Sequence, residues 1–354
     1  MHTIPLRTLG SSVPDRPGNA VKVTELGFGA GPLGDPSTST PDSQADEALS
    51  EAWELGVRYF DTAPWYGHTK SEHRVGRFLR TRNRDDFVLS TKVGRIYTRP
   101  DDPDRWTETE HGKRWRGGYP FVPRFDYSGS GIRRSYEDSL QRLGLNRADF
   151  LVIHDLDPRH QRGAAGVSRA LEQLSHHGGF KELASMRQRG EISAIGVGIN
   201  HVGMIPTFVE RFDVDYFLIA MPYTLLCQAA LEGELQLCEQ RDIKVIVGSV
   251  FASGILATTA EPDAHYGYQP ASPEIVDKVA QLRVLCGKHG VTLGAAAIQF
   301  VLAHPKVVAA IPGAEEAAQV RQNIADYQAS IPSQFWNDLS ASGLLHPDAP
   351  VPDR

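Results

Sequence analysis

The sequence is poor in cysteine. Cys227, Cys238 and Cys286 are its only three in 354 residues, and they form neither a CxxC pair nor an even set for a disulfide framework. A reducing, cytoplasmic setting is expected on that ground. An excess of basic charge is also missing: 37 lysines and arginines stand against 43 acids, a formal net charge of −6. That excludes a generally basic nucleic-acid-binding surface. Long apolar runs are absent too. The longest stretch free of Asp, Glu, Lys and Arg, residues 192–209, holds Asn200, His201, three glycines and Pro206, which makes it a poor membrane span. Residues 1–10 contain no apolar core of the kind a signal peptide carries. Neither a nucleic-acid nor a membrane partner is expected, and the oligomeric state is left open. With 41% hydrophobic and 23% charged residues, the composition suits a globular protein with a large core.

What is present is alternation. Short apolar runs at 23–28, 57–61, 87–92, 149–154, 192–197, 215–219, 244–248 and 307–311 read as eight strands. Their near-continuous apolar character suits a parallel sheet covered on both faces. Amphipathic segments lie between them. Residues 43–55 place Ala45, Ala48, Leu49, Ala52 and Leu55 on one face and stop at Gly56, a residue suited to a left-handed cap. Residues 130–143 stop at Gly144, residues 180–188 at Gly190, and 315–327 opens with Glu315 and Glu316, favourable at a helix N-terminus.

Eight strands alternating with helices predict an α/β fold, a closed (β/α)8 TIM barrel, with an open doubly wound sheet as competitor. No GxGxxG follows the first strand, which weakens the competitor. The length allows two domains of ~150 residues, but one barrel of ~250 residues with insertions fits equally well. A single domain over 1–354 is the expectation. Residues 4–24 read as a hairpin ahead of the barrel. Segments 94–125 and 251–272 read as long loops beyond strand C-terminal ends, the face where barrel enzymes keep their chemistry.

Polar residues stand at those strand ends. Asp61 closes the second strand, Lys92 the third and His154 the fourth, and Tyr66 lies in the loop after Asp61. A lysine cation beside a phenol favours the phenolate. Asp61 would hold Lys92, and His154 would orient a substrate oxygen, so the set makes a proton-transfer device. Each has a bland alternative: a turn cap for Asp61, a buried loop aromatic for Tyr66, a snorkelling lysine for Lys92, a hydrogen-bonded structural histidine for His154. Their coincidence at successive strand ends favours function. Lys92 alone would also serve a Schiff-base aldolase. No HxH opens the barrel, and His160, His176, His177 and His201 fall in helix or loop contexts, so no metal is expected.

The segments Phe60-Asp61-Thr62-Ala63-Pro64-Trp65-Tyr66-Gly67, Ser90-Thr91-Lys92-Val93, Leu151-Val152-Ile153-His154 and Ile311-Pro312-Gly313-Ala314 together resemble the aldo-keto reductases, over nearly the whole chain and in the right order. The resemblance implies a (β/α)8 barrel plugged at the bottom by a β-hairpin. It also implies nicotinamide-dependent hydride transfer with Asp61, Tyr66, Lys92 and His154 as the catalytic tetrad. Segments 125–144, 154–157 and 194–200 resemble, within that family, the aldose 1-dehydrogenases acting on L-fucose, D-arabinose and L-galactose, and pyridoxal 4-dehydrogenase. Their substrates are cyclic hemiacetals and their products lactones. General aldehyde or ketone reduction is a further alternative.

The same resemblance places the cofactor at Asn200, Ser249, Phe251, Gly313, Ala314, Glu315, Gln319, Gln322 and Asn323, and the substrate at Trp65, Tyr66, His154 and Asp155. Gly248 stands where relatives commonly carry an aromatic that stacks on the nicotinamide. Trp106 and Trp115 are expected to offer apolar faces to a sugar, whereas Asp155 and Asp157 also fit a solvated loop. Relatives preferring NADP carry basic residues in the turn after the last strand. Glu315, Glu316 and Gln319 in that turn predict a preference for NAD with NADP used less well, and Arg321 is the one nearby cation suited to a phosphate.

Overall fold

Residues 3–10, 20–37, 39–108, 113–257, 265–267 and 269–352 are described by the computed structural model. The strands in chain order are β1 (Leu6–Leu9), β2 (Val21–Thr24), β3 (Phe28–Gly29), β4 (Tyr59–Asp61), β5 (Val88–Val93), β6 (Arg95–Thr98) and β7 (Val122–Phe125). They continue with β8 (Phe150–Ile153), β9 (Ala194–Ile199), β10 (Tyr216–Ile219), β11 (Lys244–Val247), β12 (His265–Tyr266), β13 (Gln269–Pro270) and β14 (Val307–Ala310). Eight of them form one parallel sheet in the order β3-β4-β5-β8-β9-β10-β11-β14. Bridges Leu26↔Ala310 and Gly29↔Gly313 join its two edges, so the sheet closes into the expected barrel.

The strands lack polar alternation because both faces are covered: β8, β9 and β10 are buried at every residue. Inward side chains of Tyr59, Phe150, Val152, Tyr216, Ile246 and Val308 fill the barrel. Tyr216 fits because residue 196 is glycine; a Cβ there would stand 2.4 Å from the tyrosine ring. Outward residues pack under the helices, as with Ala45, Ala48, Leu49 and Ala52 of the helix Asp42–Glu54. That helix and the helix Gly129–Leu143 end before Gly56 (φ 94°) and Gly144 (φ 65°), in the left-handed geometry anticipated from the sequence.

β1 and β2 pair antiparallel, as expected for 4–24. Leu9 and Val23 pack into the barrel interior cluster. Arg7 pairs with Glu25 and donates to the carbonyls of Leu302 and Val307 (3.2 and 2.6 Å), fixing the hairpin under the N-terminal end of β14. Several boundaries differ from expectation: the strand expected at 57–61 is Tyr59–Asp61, that at 192–197 is Ala194–Ile199, and two others bear on the site. The run 23–28 is not one strand: Val23 and Thr24 end the hairpin, the chain turns, and the barrel strand is Phe28–Gly29. The crossing passes Gly27, where a Cβ would meet Ile311 and Tyr59 at 2.8 Å, so hydropathy alone hides the break. The last helix of the barrel runs Ala317–Gln328, with Glu316 at its N-cap and Glu315 outside it. The long loops carry structure of their own. β6 and β7 form a hairpin within 94–125, and β12 and β13 a small one within 251–272. Among the described residues, no single helix is long and apolar enough to cross a membrane.

Candidate active site

Strand register sets three of the polar groups side by side at the C-terminal mouth. Asp61 is the last residue of β4, Lys92 sits near the end of the adjacent β5, and His154 directly follows β8, which pairs with β5. Lys92 Nζ donates to Asp61 Oδ2 (2.6 Å) and to the Thr62 carbonyl (2.9 Å), while Ser90 Oγ donates to Asp61 Oδ1 (2.6 Å). Both ions are buried, so removing either would leave the other as an unpaired buried charge. Tyr66 reaches them from the loop after β4. That loop is pinned by Ser71, whose hydroxyl meets Thr62 Oγ1 (2.9 Å) and donates to the Ala30 carbonyl (2.7 Å). Lys92 Nζ lies 4.9 Å from the Tyr66 ring centroid, and the His154 ring stands perpendicular to Tyr66 at 6.0 Å. Asp61, Tyr66, Lys92 and His154 therefore occupy one place.

His154 has a neighbour that the sequence did not single out. Arg95, the first residue of β6, folds back under the mouth and is buried. Its Nη1 donates to Asp155 Oδ2 (2.6 Å) and lies 3.4 Å from His154 Nδ1. Burial pushes the His154 imidazole well below its usual range. Asp155 opposes that shift, and Arg95 and Lys92 add to it, so the ring is neutral at pH 7. Burial would raise the Asp155 carboxyl, but the Arg95 guanidinium bonded to it at 2.6 Å holds it below the usual carboxylate range. Asp155 and Asp157 are thus not solvated loop acids. Asp155 is buried between Arg95 and Asn200 Nδ2 (3.4 Å), and Asp157 is buried against His160 Nδ1 (2.9 Å).

These groups open into a cavity of about 650 Å³ whose wall includes Trp65, Trp115, His160, Asn200, Ser249, Phe251, Gly313 and Glu315. Trp106 is not in that wall; it stands edge-on to His68 at 4.9 Å. Ala314, Gln319, Gln322 and Asn323 are not in the wall. Gln319 Oε1 accepts from the Glu315 amide (2.8 Å), Gln322 donates to Asp326 (3.0 Å) and Asn323 to the Gly313 carbonyl (3.4 Å). Arg321 is paired with Glu51 (3.1 Å). Glycines leave the wall bare of side chains beside the phenol and the imidazole. A Cβ on Gly31 would sit 3.8 Å from the Tyr66 ring, and one on Gly198 3.5 Å from His154 Cδ2. Gly248, at the position noted for a stacking aromatic, is likewise in the wall. The cavity, open beside the phenol and the imidazole, fits a nicotinamide nucleotide.

The closed (β/α)8 barrel thus carries an ion-paired lysine, a phenol and an imidazole together at its mouth. Residues 25–343 match the model of the aldo/keto reductase family, and the chain belongs to that family, whose members use nicotinamide cofactors. It is 36% identical to a pyridoxal 4-dehydrogenase of Microbacterium luteolum (91% of this chain, 95% of that one). It is 35% identical to a D-threo-aldose 1-dehydrogenase of a Pseudomonas species (95% and 99%). The holo form of an aldo-keto reductase from Bacillus halodurans superposes with a TM-score of 0.72 at 24% identity over 99% of each chain.

Proposed function

We propose that the protein oxidises the anomeric carbon of a cyclic aldose of the L-fucose, D-arabinose or L-galactose type to an aldonolactone, with NAD preferred over NADP. The observation that carries the reading is the buried Asp61–Lys92 pair beneath the Tyr66 ring, with neutral His154 across from it. A bound nicotinamide nucleotide supplies the acceptor for the hydrogen and electron pair that leave C1. Tyr66 takes the proton of the anomeric hydroxyl on its phenolic oxygen. Lys92 favours the phenolate, the form able to accept it. Asp61, doubly held by Ser90 and Lys92, keeps the ammonium beneath the ring. His154 holds the substrate oxygen, and Trp65 and Trp115 offer apolar faces to a sugar ring. Asn200, Ser249, Phe251, Gly313 and Glu315 would hold the cofactor.

The NAD preference rests on the turn after β14. Glu315 enters the cavity wall, Glu316 follows it, and Arg321 is engaged by Glu51, so no cation of that turn is aimed at a 2′-phosphate. A ribose hydroxyl, by contrast, donates readily to a carboxylate. The similarity to a pyridoxal 4-dehydrogenase supports a second reading, in which the hemiacetal of pyridoxal is oxidised to 4-pyridoxolactone in the same way. The test is absorbance of the reduced nicotinamide on mixing the protein with L-fucose, D-arabinose, L-galactose or pyridoxal, each with NAD and with NADP. Turnover of an aldose with NAD is expected. Turnover of pyridoxal alone selects the second reading, and a borohydride-trapped lysine adduct without nicotinamide reduction defeats both.

A further inference from the structure

His154 turns one edge to the cavity and the other to Arg95. Which ring nitrogen carries the proton decides whether the cavity edge donates or accepts a hydrogen bond. Arg95 resolves the choice. Its Nη1 bears two hydrogens; one goes to Asp155 Oδ2 at 2.6 Å, and His154 Nδ1 lies 3.4 Å away for the other. A guanidinium offers donors only and stays charged. The nitrogen it faces is therefore the acceptor, and in a neutral ring the proton sits on Nε2. We propose that Arg95 is a positioning residue that, by donating to Nδ1, holds His154 in its Nε2–H tautomer.

The arginine is placed to do this by more than the one contact. Its guanidinium carbon lies 4.4 Å from the ring centroids of both Trp65 and Phe125, which clamps the plane of the fork. Its carbonyl accepts from Ser135 Oγ at 2.9 Å, and its strand pairs residue for residue with β7. The charges around the ring also balance. Asp61 and Asp155 face Lys92 and Arg95, so an imidazolium would add a surplus buried charge. His154 Nε2 lies 3.6 Å from Asp155 Oδ1, beyond hydrogen-bond range, which leaves its proton to the cavity. Without Arg95, Nδ1 can take the proton, and Nε2 then presents a lone pair to the lone pairs of a substrate oxygen. Trp65 precedes Tyr66 in the chain, so the same arginine ties the phenol loop to the imidazole.

The consequence for turnover rests on the reading of His154 as the group facing the substrate oxygen; the tautomer itself does not. The test is long-range proton–nitrogen NMR of the full chain with ¹⁵N-labelled histidine, the His154 signals among 13 histidines being those lost in His154→Gln. The wild type is expected to show a protonated Nε2 and a bare Nδ1. Arg95→Met should move proton density to Nδ1, lower kcat about 10²-fold and leave the KM for NAD unchanged; Arg95→Lys should restore part of both. Because Arg95→Met leaves Asp155 buried without its partner, the double variant with Asp155→Asn is measured beside it. A proton on Nδ1 in the wild type overturns the proposal, as does an unchanged Nε2–H tautomer in the double variant. A tautomer shift with unaltered kcat upholds the hold of Arg95 on the ring and defeats the reading of His154 as the substrate's donor.

Discussion

At the scale of single residues, the site is an exchange of charges held out of water. Lys92 has Asp61 as its counter-ion and the Tyr66 ring above it, so losing either the phenol or the ammonium should show in turnover rather than in cofactor affinity. Tyr66→Phe removes the proton acceptor and is expected to lower kcat by ~10²–10⁴ with NAD binding near normal, read by steady-state kinetics and nucleotide titration. Activity within a few-fold of wild type would remove Tyr66 from the mechanism. Lys92→Met should be nearly as damaging. Full activity in that variant would reduce the Asp61–Lys92 contact to a structural ion pair. These four residues were legible because Asp61 and His154 are the polar groups that close apolar strands, Lys92 is the cation near the end of another, and Tyr66 lies five residues beyond Asp61. Arg95, by contrast, gave no local signal. Two residues beyond β5, it lies beside His154 because β5 pairs with β8 and the Val93 carbonyl accepts from the His154 amide (3.1 Å), a pairing that nothing in the residues around position 95 encodes. His160 is equally silent in the sequence: its pairing with buried Asp157 depends on how the loop after β8 curls over the mouth.

At the scale of elements, barrel strands betray themselves by unbroken apolar character, and several helices by the glycine that ends them. What escaped the sequence is where the chain changes partners. Val23 and Phe28 look alike in hydropathy, yet one belongs to the plug and the other to the barrel. Glu315 and Glu316 look like a helix start, yet they form the turn before it. That turn yields a prediction. Burial, with Asp35 and Glu316 close by, raises the Glu315 carboxyl above its ordinary value, so an acid there is poorly solvated and badly matched to a phosphate. Glu315→Arg replaces repulsion with a charge-assisted bond and should raise kcat/KM for NADP about tenfold relative to NAD. No gain for NADP would place the 2′-position elsewhere. Helix packing gives a matched pair of stability tests. A Cβ on Gly76 would lie 2.3 Å from the Leu143 carbonyl oxygen of the neighbouring helix, whereas one on Gly287 meets nothing within 4 Å. Gly76→Ala is therefore expected to cost about 1–3 kcal/mol. Gly287→Ala, in the exposed helix Pro273–His289, should gain about 0.5–1 kcal/mol. Denaturant midpoints decide both, and equal effects would show that the close approach of the helices is not rigid.

At the scale of the whole molecule, the barrel buries ionisable groups in forms that acid opposes. Burial, the largest influence on all three, keeps His154 well below its usual range and lowers His73 and His304. In the unfolded chain these imidazoles titrate near pH 6.5. Below that pH the unfolded state binds protons that the native state refuses, so stability falls as pH falls and recovers as pH rises. A histidine that stays neutral in the native state while the unfolded chain takes up its proton costs on the order of 1 kcal/mol per pH unit below pH 6.5. His154, the most strongly lowered, should contribute most, and His73 and His304 act in the same direction. A second decline should begin near the ordinary carboxylate range. There burial works to raise Asp35 and Asp155, but Arg74 and Lys70 on the one and Arg95 on the other hold them lower. Their contribution is present above pH ~4 and is lost as pH drops through their native values. The measurement is a series of urea titrations from pH 7.5 to 5.5. The midpoint should decrease with an unchanged slope, and His154→Gln should flatten the decrease by roughly the share of one histidine. A midpoint that stays level over that interval would mean that His154 accepts its proton in the native state. The imidazole would then be charged at the mouth, facing Arg95 and Lys92.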